Sequence, residues 1–224
     1  MAKNLHIGIV ACSAEGASLC YRTICTEGAQ LLGPHAHPEI SMHSQSLADY
    51  VAFIDKDDWK GVGELMLASA NKLAKIGADF LIFPDNTIHQ ALRHIQLPLP
   101  YLHIAHVVAE EAEKLGHKQI GLTGTKWLVE SDVYPESYIR PTKKEREEIS
   151  RIIMDELVRG IFRPEAINYF QHVITHLKEQ GCDSVVLGCT EIPLIMNDAN
   201  SPLPTLDSTR LLARAALQKA CNTT

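Results

Sequence analysis

One pattern occurs twice in this chain, 104 residues apart, and limits the possible folds more than any other feature. Gly77 and Gly181 are each followed two positions later by aspartate, and then by a short apolar run. The eighth residue after each glycine is chemically reactive: Asp85 in the first copy and Cys189 in the second. An apolar run between a glycine and small polar residues predicts a buried β-strand followed by a turn. The chain is therefore predicted to contain two copies of one strand–turn unit.

A second repeated pattern has the same spacing. The sequence Pro98-Leu-Pro-x-Leu102 recurs 104 residues later as Pro202-Leu-Pro-x-Leu206, and each copy precedes a predicted helix. Two repeats with one offset and in one order are improbable by chance. They indicate that the chain consists of two lobes of the same design.

Strands and helices alternate along the sequence, which favours parallel sheets covered by helices on both faces. The predicted fold class is α/β, with two pseudo-symmetric Rossmann-like (αβα sandwich) lobes. Because open parallel sheets bind ligands at the carboxyl ends of their strands, we expect the active site between the lobes. The predicted strands are residues 6–10, 39–43, 80–83, 119–125 and 184–187. The predicted lobes are residues 1–100 with 206–224, and residues 101–205.

Composition and charge argue against nucleic-acid binding and membrane association. The chain has 224 residues and a formal net charge of −6 at pH 7, whereas nucleic acids and acidic membranes attract basic proteins. No apolar run reaches the roughly 18 residues of a membrane span, and the N-terminus has no signal-peptide pattern. We therefore predict a cytoplasmic protein that acts on a small molecule, with no nucleic-acid or membrane partner.

The six cysteines show neither a CxxC pair nor zinc-finger spacing, so they are expected to be thiols and mostly packing residues. Cys189 could be such a packing residue, but its position at a strand end beside Thr190 and Glu191 favours a chemical role. Cys12, at the end of the first strand, is expected to pack or to line the pocket. The histidines before and within the second strand lack metal-ligand spacing, so no metal is predicted. They are His35, His37 and His43.

Three stretches resemble the cofactor-independent aspartate/glutamate racemase superfamily, and the likeness covers essentially the whole chain. They are Pro84-Asp-Asn-Thr-Ile-His89, Gly188-Cys-Thr-Glu-Ile-Pro193 and Gly121-Leu-Thr-Gly-Thr125. The resemblance implies a homodimer in which a thiol from each lobe flanks the α-carbon of an amino acid or dicarboxylate substrate. One group removes the α-proton and the other reprotonates the opposite face, without a cofactor. The implied function is an amino-acid racemase or epimerase of the aspartate/glutamate type.

The resemblance also implies roles for individual residues. Cys189 would be an acid/base group, and since an unperturbed thiol has a pKa of about 8.5, it needs a helix terminus or a hydrogen-bonding neighbour to ionise near neutral pH. Glu191 and His89 would support the site or contact the substrate ammonium group. Four side chains match the family's amide and hydroxyl positions, which would stabilise charge on the substrate carboxylate. They are Asn86, Thr87, Thr125 and Thr190.

Asp85 departs from the family pattern, because most members have cysteine at this position. Asp85 could be the second acid/base group. Alternatively, only Cys189 exchanges protons, as in a one-directional racemase or a decarboxylase of a small carboxylic acid. In a third interpretation Asp85 binds the ammonium group or takes no part in catalysis. Its charge would also repel a substrate carboxylate, which leaves the substrate open. A non-catalytic protein that binds small acids is the alternative from a different class.

Overall fold

Two parallel sheets organise residues 4–221, the part of the chain that the computed structural model describes. The chain up to Val107 and from Thr209 onward forms one compact unit, and Val108–Ser208 forms the other. All strand pairs in both sheets are parallel. The predicted fold class is therefore confirmed.

The sheet of the N-terminal unit has the strand order β2-β1-β3-β4, and the sheet of the C-terminal unit has the order β5-β6-β7. Strands β1, β3, β5 and β6 are buried along their whole length, as expected for parallel strands covered on both faces. The strands are β1 (Ile7–Ala11), β2 (Ile40–Ser44), β3 (Phe80–Ile82), β4 (Tyr101–Leu102), β5 (Ile120–Thr123), β6 (Ser184–Leu187) and β7 (Thr205–Asp207).

Eight α-helices connect and cover these strands in the described residues. They are α1 (Ala14–Leu32), α2 (Leu47–Ile54), α3 (Trp59–Lys75), α4 (Ile104–Leu115), α5 (Lys126–Val129), α6 (Lys143–Asp155), α7 (Pro164–Glu179) and α8 (Ser208–Cys221). Short 3-10 helices span Thr87–His94, Leu157–Arg159 and Ile192–Leu194. No helix in residues 4–221 combines the length and apolar character needed to span a membrane.

The aspartate of each Gly-x-Asp repeat explains why the pattern is duplicated. The Asp79 carboxylate accepts a 2.7 Å hydrogen bond from the N–H of His6, and the N–H of Asp79 donates to the His6 carbonyl at 2.8 Å. The Asp183 carboxylate accepts from the N–H of Lys118 at 2.7 Å and of Gln119 at 3.3 Å. The N–H of Asp183 donates to the Gln119 carbonyl at 2.8 Å. In both units this aspartate therefore fastens the beginnings of two adjacent strands, β1 with β3 or β5 with β6.

The Pro-Leu-Pro repeat also has a structural cause. The carbonyl of Pro100 accepts the N–H of Leu81 at 2.9 Å, and the carbonyl of Pro204 accepts the N–H of Val185 at 2.9 Å. Each proline unit thus begins an edge strand, β4 or β7, beside the repeated apolar strand. Proline is compatible with a position whose own N–H is not needed by the sheet.

Local signals set the helix ends. Ser13 caps α1 by accepting the N–H of Gly16 at 3.2 Å, and Thr142 forms a capping box with Glu145 at the start of α6. Gly77 and Gly181, which begin the repeated pattern, follow α3 and α7 with φ angles of +91° and +95°. A side chain would strain the backbone there, which is why glycine stops both helices.

Each unit has its own apolar core. In the N-terminal unit the strands pack with α8, so the end of the chain returns to the first sheet. Representative members are Ile7, Ile9, Ile82, Ile104, Leu212 and Ala216. In the C-terminal unit α6 and α7 pack on β6. Representative members are Ile149, Ile153, Phe170, Val173, Val185 and Leu187.

Several elements differ from the sequence-based expectations. Helix α2, strands β4 and β7 and the 3-10 helix Thr87–His94 were not predicted. The segment 126–140, for which no element was predicted, begins with helix α5, because Thr125 accepts the N–H of Leu128 at 3.4 Å and caps it. These elements are short, so neither periodicity nor composition marks them strongly.

Candidate active site

The first candidate group lies in the turn after β3. Asp85 is half-buried, and its Oδ1 accepts the N–H of Ile88 at 3.1 Å. This N–H belongs to the first turn of the 3-10 helix Thr87–His94, where backbone donors have no partner within the helix. The fold therefore holds the Asp85 carboxylate in a fixed orientation by one of its oxygens.

His89 holds the backbone of the same turn. Its Nε2 accepts the N–H of Ile104 at 3.2 Å, so the proton of the neutral ring lies on Nδ1 and donates to the Asp85 carbonyl at 2.7 Å. The side chain is buried, and burial, followed by the neighbouring His103, lowers the pKa of His89 to about 3. Both ring nitrogens are thus engaged by backbone groups, and the ring is neutral at physiological pH.

Two further side chains surround Asp85 within the N-terminal unit. Cys12 follows β1, the strand next to β3, and Tyr50 lies on α2. Burial raises the pKa of Tyr50, and the nearby Cys12 and Asp85 raise it further. The Tyr50 hydroxyl is fully buried and makes no hydrogen bond of good geometry among the described residues, although the side chain of Ser69 opposes the rise in pKa. A protonated phenol therefore lies beside the Asp85 turn.

The second candidate group lies in the turn after β6. Cys189 is half-buried, and its thiol donates to Oε2 of Glu191 at 2.9 Å. The hydroxyl of Thr190 donates to the same oxygen at 2.9 Å. Glu191 and Thr190 are almost fully buried, at 2% and 1% exposure. The buried carboxylate of Glu191 thus accepts hydrogen bonds from the side chains of the two residues before it.

Close backbone approach explains the glycine of this motif. The N–H of Gly188 donates to the carbonyl of Thr123 at 2.9 Å, and a Cβ at Gly188 would lie 2.5 Å from that oxygen. Any larger residue would push β5 and β6 apart at the position where both turns begin. Thr125 follows β5, so its turn lies next to the Cys189 turn at the carboxyl edge of the sheet.

Within each unit, the predicted site residues lie together at the carboxyl edge of a parallel sheet. In the N-terminal unit they are Asp85, Asn86, Thr87 and His89, and in the C-terminal unit they are Thr125, Cys189, Thr190 and Glu191. Asn86 and Thr87 are buried, at 2% and 9% exposure. No disulfide involves any of the six cysteines, all of which lie in the described part of the chain.

Sequence reasoning overlooked Tyr50. The residue stands in an unpredicted helix, and no repeat or motif marks it. Only the packing of α2 brings its hydroxyl near Cys12 and Asp85. Its neighbours Val51 and Ile54 are apolar, so the local sequence gives Tyr50 no distinguishing chemical context.

Comparisons with known proteins show the family of the chain. The family model for Asp/Glu/Hydantoin racemase matches residues 9–216. The chain belongs to this family. A curated relative, the broad specificity amino-acid racemase RacX of Bacillus subtilis (strain 168), is 27% identical over 171 residues, which cover 73% of each chain.

Two solved structures extend the family likeness to the whole fold. A protein provisionally assigned as an Asp/Glu racemase, from Yersinia pestis, has a TM-score of 0.86 at 30% identity and covers 96% of this chain and 99% of its own. An aspartate racemase homologue from Pyrococcus horikoshii OT3 has a TM-score of 0.78 at 26% identity and covers 98% and 99%. This racemase-family protein is therefore an isomerase, and the family supports amino acids as its class of substrate.

Proposed function

We propose that this protein is a cofactor-independent amino-acid racemase or epimerase of the aspartate/glutamate type, in which Cys189 and Asp85 exchange the α-proton. The observation that carries the proposal is the position of the Cys189 thiol. It stands at the carboxyl end of β6, hydrogen-bonded to buried Glu191, at the place in the repeat that corresponds to Asp85.

Two-base racemisation requires a base that removes the α-proton from one face of the α-carbon and an acid that returns a proton to the opposite face. The protonated thiol of Cys189 donates a hydrogen bond to Glu191, and a carboxylate neighbour disfavours the thiolate. Cys189 is therefore suited to be the proton donor in the resting enzyme. Asp85, whose carboxylate accepts a backbone N–H, is suited to be the base. The roles reverse when the opposite enantiomer reacts.

The developing negative charge on the substrate carboxylate needs fixed hydrogen-bond donors. Asn86 and Thr87 lie beside Asp85, and Thr190 lies beside Cys189. We assign these side chains and Thr125 to substrate binding. His89 and Glu191 position the two reacting groups. His89 holds the Asp85 backbone, and Glu191 holds the Cys189 thiol.

One observation favours a second candidate function. Asp85 accepts the N–H of Ile88 at the start of a 3-10 helix, and asparagine or aspartate in such a place is commonly a cap with no chemical role. In that case Cys189 alone would exchange protons, and the enzyme would racemise in one direction or decarboxylate a malonate-type acid.

Deuterium exchange separates the two candidates. Each enantiomer of candidate amino acids, beginning with aspartate and glutamate, is incubated with enzyme in D2O and followed by NMR and chiral chromatography. With two exchanging groups, deuterium enters the product enantiomer and early recovered substrate stays unlabelled. Labelling of recovered substrate as fast as product forms would show a single exchanging group. Release of CO2 from a malonate-type acid, with no racemisation of amino acids, would contradict the leading proposal.

Two further predictions accompany this proposal. The resemblance implies a homodimer, which light scattering after size exclusion would test. Cytoplasmic location also stays a prediction, which fractionation of the source cells would test.

A further inference from the structure

A second cluster of chemically active side chains lies on α6 and α7 of the C-terminal unit. His172 and His176 stand one turn apart on α7, with ring centroids 4.0 Å apart in an edge-to-face arrangement. Glu145, in the first turn of α6, directs Oε1 to Nδ1 of His176 at 2.7 Å. One ligand atom from each of the three residues lies within 4.8 Å of the others. None of them belongs to the Cys189 turn.

Hydrogen bonds within the protein fix the orientation of the Glu145 carboxylate. Oε2 of Glu145 accepts the backbone N–H of Thr142 at 2.8 Å and its hydroxyl at 2.7 Å. These two hydrogen bonds leave Oε1 directed toward Nδ1 of His176. Contacts of this kind orient metal ligands in proteins.

The chemistry of the three side chains indicates which class of metal ion they would bind. Two imidazoles and one carboxylate match the ligand sets of zinc and similar divalent transition metals, whereas calcium and magnesium prefer oxygen alone. Two histidines one helical turn apart can bind one ion from the same face of the helix. His172 is exposed, so water could complete a four-coordinate site.

The distances are close to those of a bound state. With metal–ligand bonds of about 2.0–2.1 Å, tetrahedral ligands lie about 3.3 Å from one another. The Glu145–His176 pair is shorter than this, at 2.7 Å, and must open slightly, while the widest pair must close from at most 4.8 Å. Rotation of the exposed His172 side chain can supply the second change.

The Glu145–His176 hydrogen bond by itself would be an ordinary contact between two helices. It does not account for His172, whose exposed ring lies against that of His176 with a ligand atom within 4.8 Å of the other two. Within residues 4–221, this is also the one group of three ligating side chains that converges. The histidines considered from the sequence do not do so, since His37 contacts the Pro38 carbonyl and His43 contacts Ser69 and Lys72. We propose that Glu145, His172 and His176 bind a divalent transition-metal ion of the zinc class.

Binding of Ni²⁺ to the full-length, tag-free, metal-stripped protein tests the proposal. Calorimetry should show one ion per chain, and His172→Ala should weaken its binding at least tenfold. Because His172 is exposed, this variant is expected to fold, which circular dichroism would verify. His94→Ala removes an exposed histidine of the other unit and is the matched control, expected to bind as the unmodified chain does.

The proposal would be overturned if His172→Ala bound Ni²⁺ as tightly as the unmodified chain, or if the unmodified chain did not bind Ni²⁺. The thiols need a separate readout, because cysteines also bind these ions. Co²⁺ at the proposed site should give a visible spectrum without the sulfur-to-metal charge-transfer band. A Co²⁺ spectrum dominated by that band, and unchanged in His172→Ala, would place the ion at cysteine and contradict the proposal. Glu145→Gln should weaken binding as well, since the amide is a poorer ligand.

Discussion

The Asp85 turn and the Cys189 turn occupy equivalent positions in the two units but hold their reactive groups in opposite ways. Asp85 is an acceptor: its carboxylate receives the N–H of Ile88. Cys189 is a donor: its thiol donates a hydrogen bond to the carboxylate of Glu191. The Asp85 carbonyl accepts a hydrogen bond from the neutral ring of His89. The partner of the Cys189 thiol, in contrast, is the buried acid Glu191.

This difference shows how a duplicated backbone can carry unlike chemistry. The repeated aspartate, proline and glycine contacts are equivalent in the two units because each is made to a backbone group of the adjacent segment. The side chains at the turns are not constrained by those contacts. A carboxylate can therefore replace a thiol in one copy without disturbing the strands, and the proposed base and acid become chemically distinct.

Loss of the thiol should have the largest effect. Cys189→Ala removes the proposed proton donor, and we expect turnover to fall by about a thousandfold or more, in line with the value of positioned acid/base groups. Racemisation followed by circular dichroism would measure the loss. The control is Cys25→Ser, which alters a cysteine outside both turns and should leave turnover within about twofold. Full turnover in Cys189→Ala would refute the assigned role of the thiol.

Asp85→Asn should have the next largest effect on turnover. It distinguishes a catalytic base at this position from a residue that only caps the 3-10 helix. Asparagine can still accept the N–H of Ile88, because asparagine and aspartate cap helices about equally well, but it cannot accept a proton from carbon. We expect turnover to fall about a hundredfold with an unchanged melting temperature. Asp85→Cys should recover part of the activity. Turnover within about twofold in Asp85→Asn would show that Asp85 is a cap and leave Cys189 as the single exchanging group.

Acid should weaken the N-terminal unit through His89. Its pKa is about 3 in the folded chain and about 6.5 when unfolded. The unfolded chain therefore binds more protons between these values, so stability is complete above pH 6.5 and declines as pH falls toward 3. From pH 6.5 to 5 we expect the free energy of unfolding to decrease by roughly 2 kcal/mol from this group alone.

Denaturant titrations of the unmodified chain and of His89→Gln at several pH values would measure this contribution. Glutamine can donate and accept hydrogen bonds but does not titrate in this range. The stability of His89→Gln should therefore depend less on pH than that of the unmodified chain. His94→Gln, at an exposed position, is the control and should follow the unmodified chain. Parallel pH profiles for all three proteins would mean that His89 is not the acid-sensitive group of the Asp85 turn.

The smallest of these effects concerns Glu191. Glu191→Gln removes the negative charge 2.9 Å from the Cys189 sulfur, and a nearby negative charge opposes thiolate formation. The pH midpoint for alkylation of Cys189 by iodoacetamide should therefore fall by about one unit. Peptide mass spectrometry would follow Cys189 separately from the other cysteines, and Cys25 provides the internal reference. A midpoint that rises would mean that Glu191 acts as the base that ionises the thiol.

Much of the fold could be predicted because its signals are local. Gly77 and Gly181 mark the ends of helices, and the apolar runs after them are fully buried strands. Strands β4 and β7 were missed because two or three residues show no periodicity, and their pairing with β3 and β6 depends on contacts with distant backbone.

The sequence by itself determined that the chain is duplicated, that it is an α/β protein, and that Asp85 and Cys189 occupy equivalent turns. These properties follow from glycine, proline and apolar spacing, which act over a few residues. The tertiary structure alone decided the contacts of the turns. It placed Tyr50 near Asp85, His89 between Asp85 and Ile104, and Glu145 beside two histidines of another helix. These side chains meet only after distant segments pack, and packing depends on the whole core rather than on neighbours in sequence.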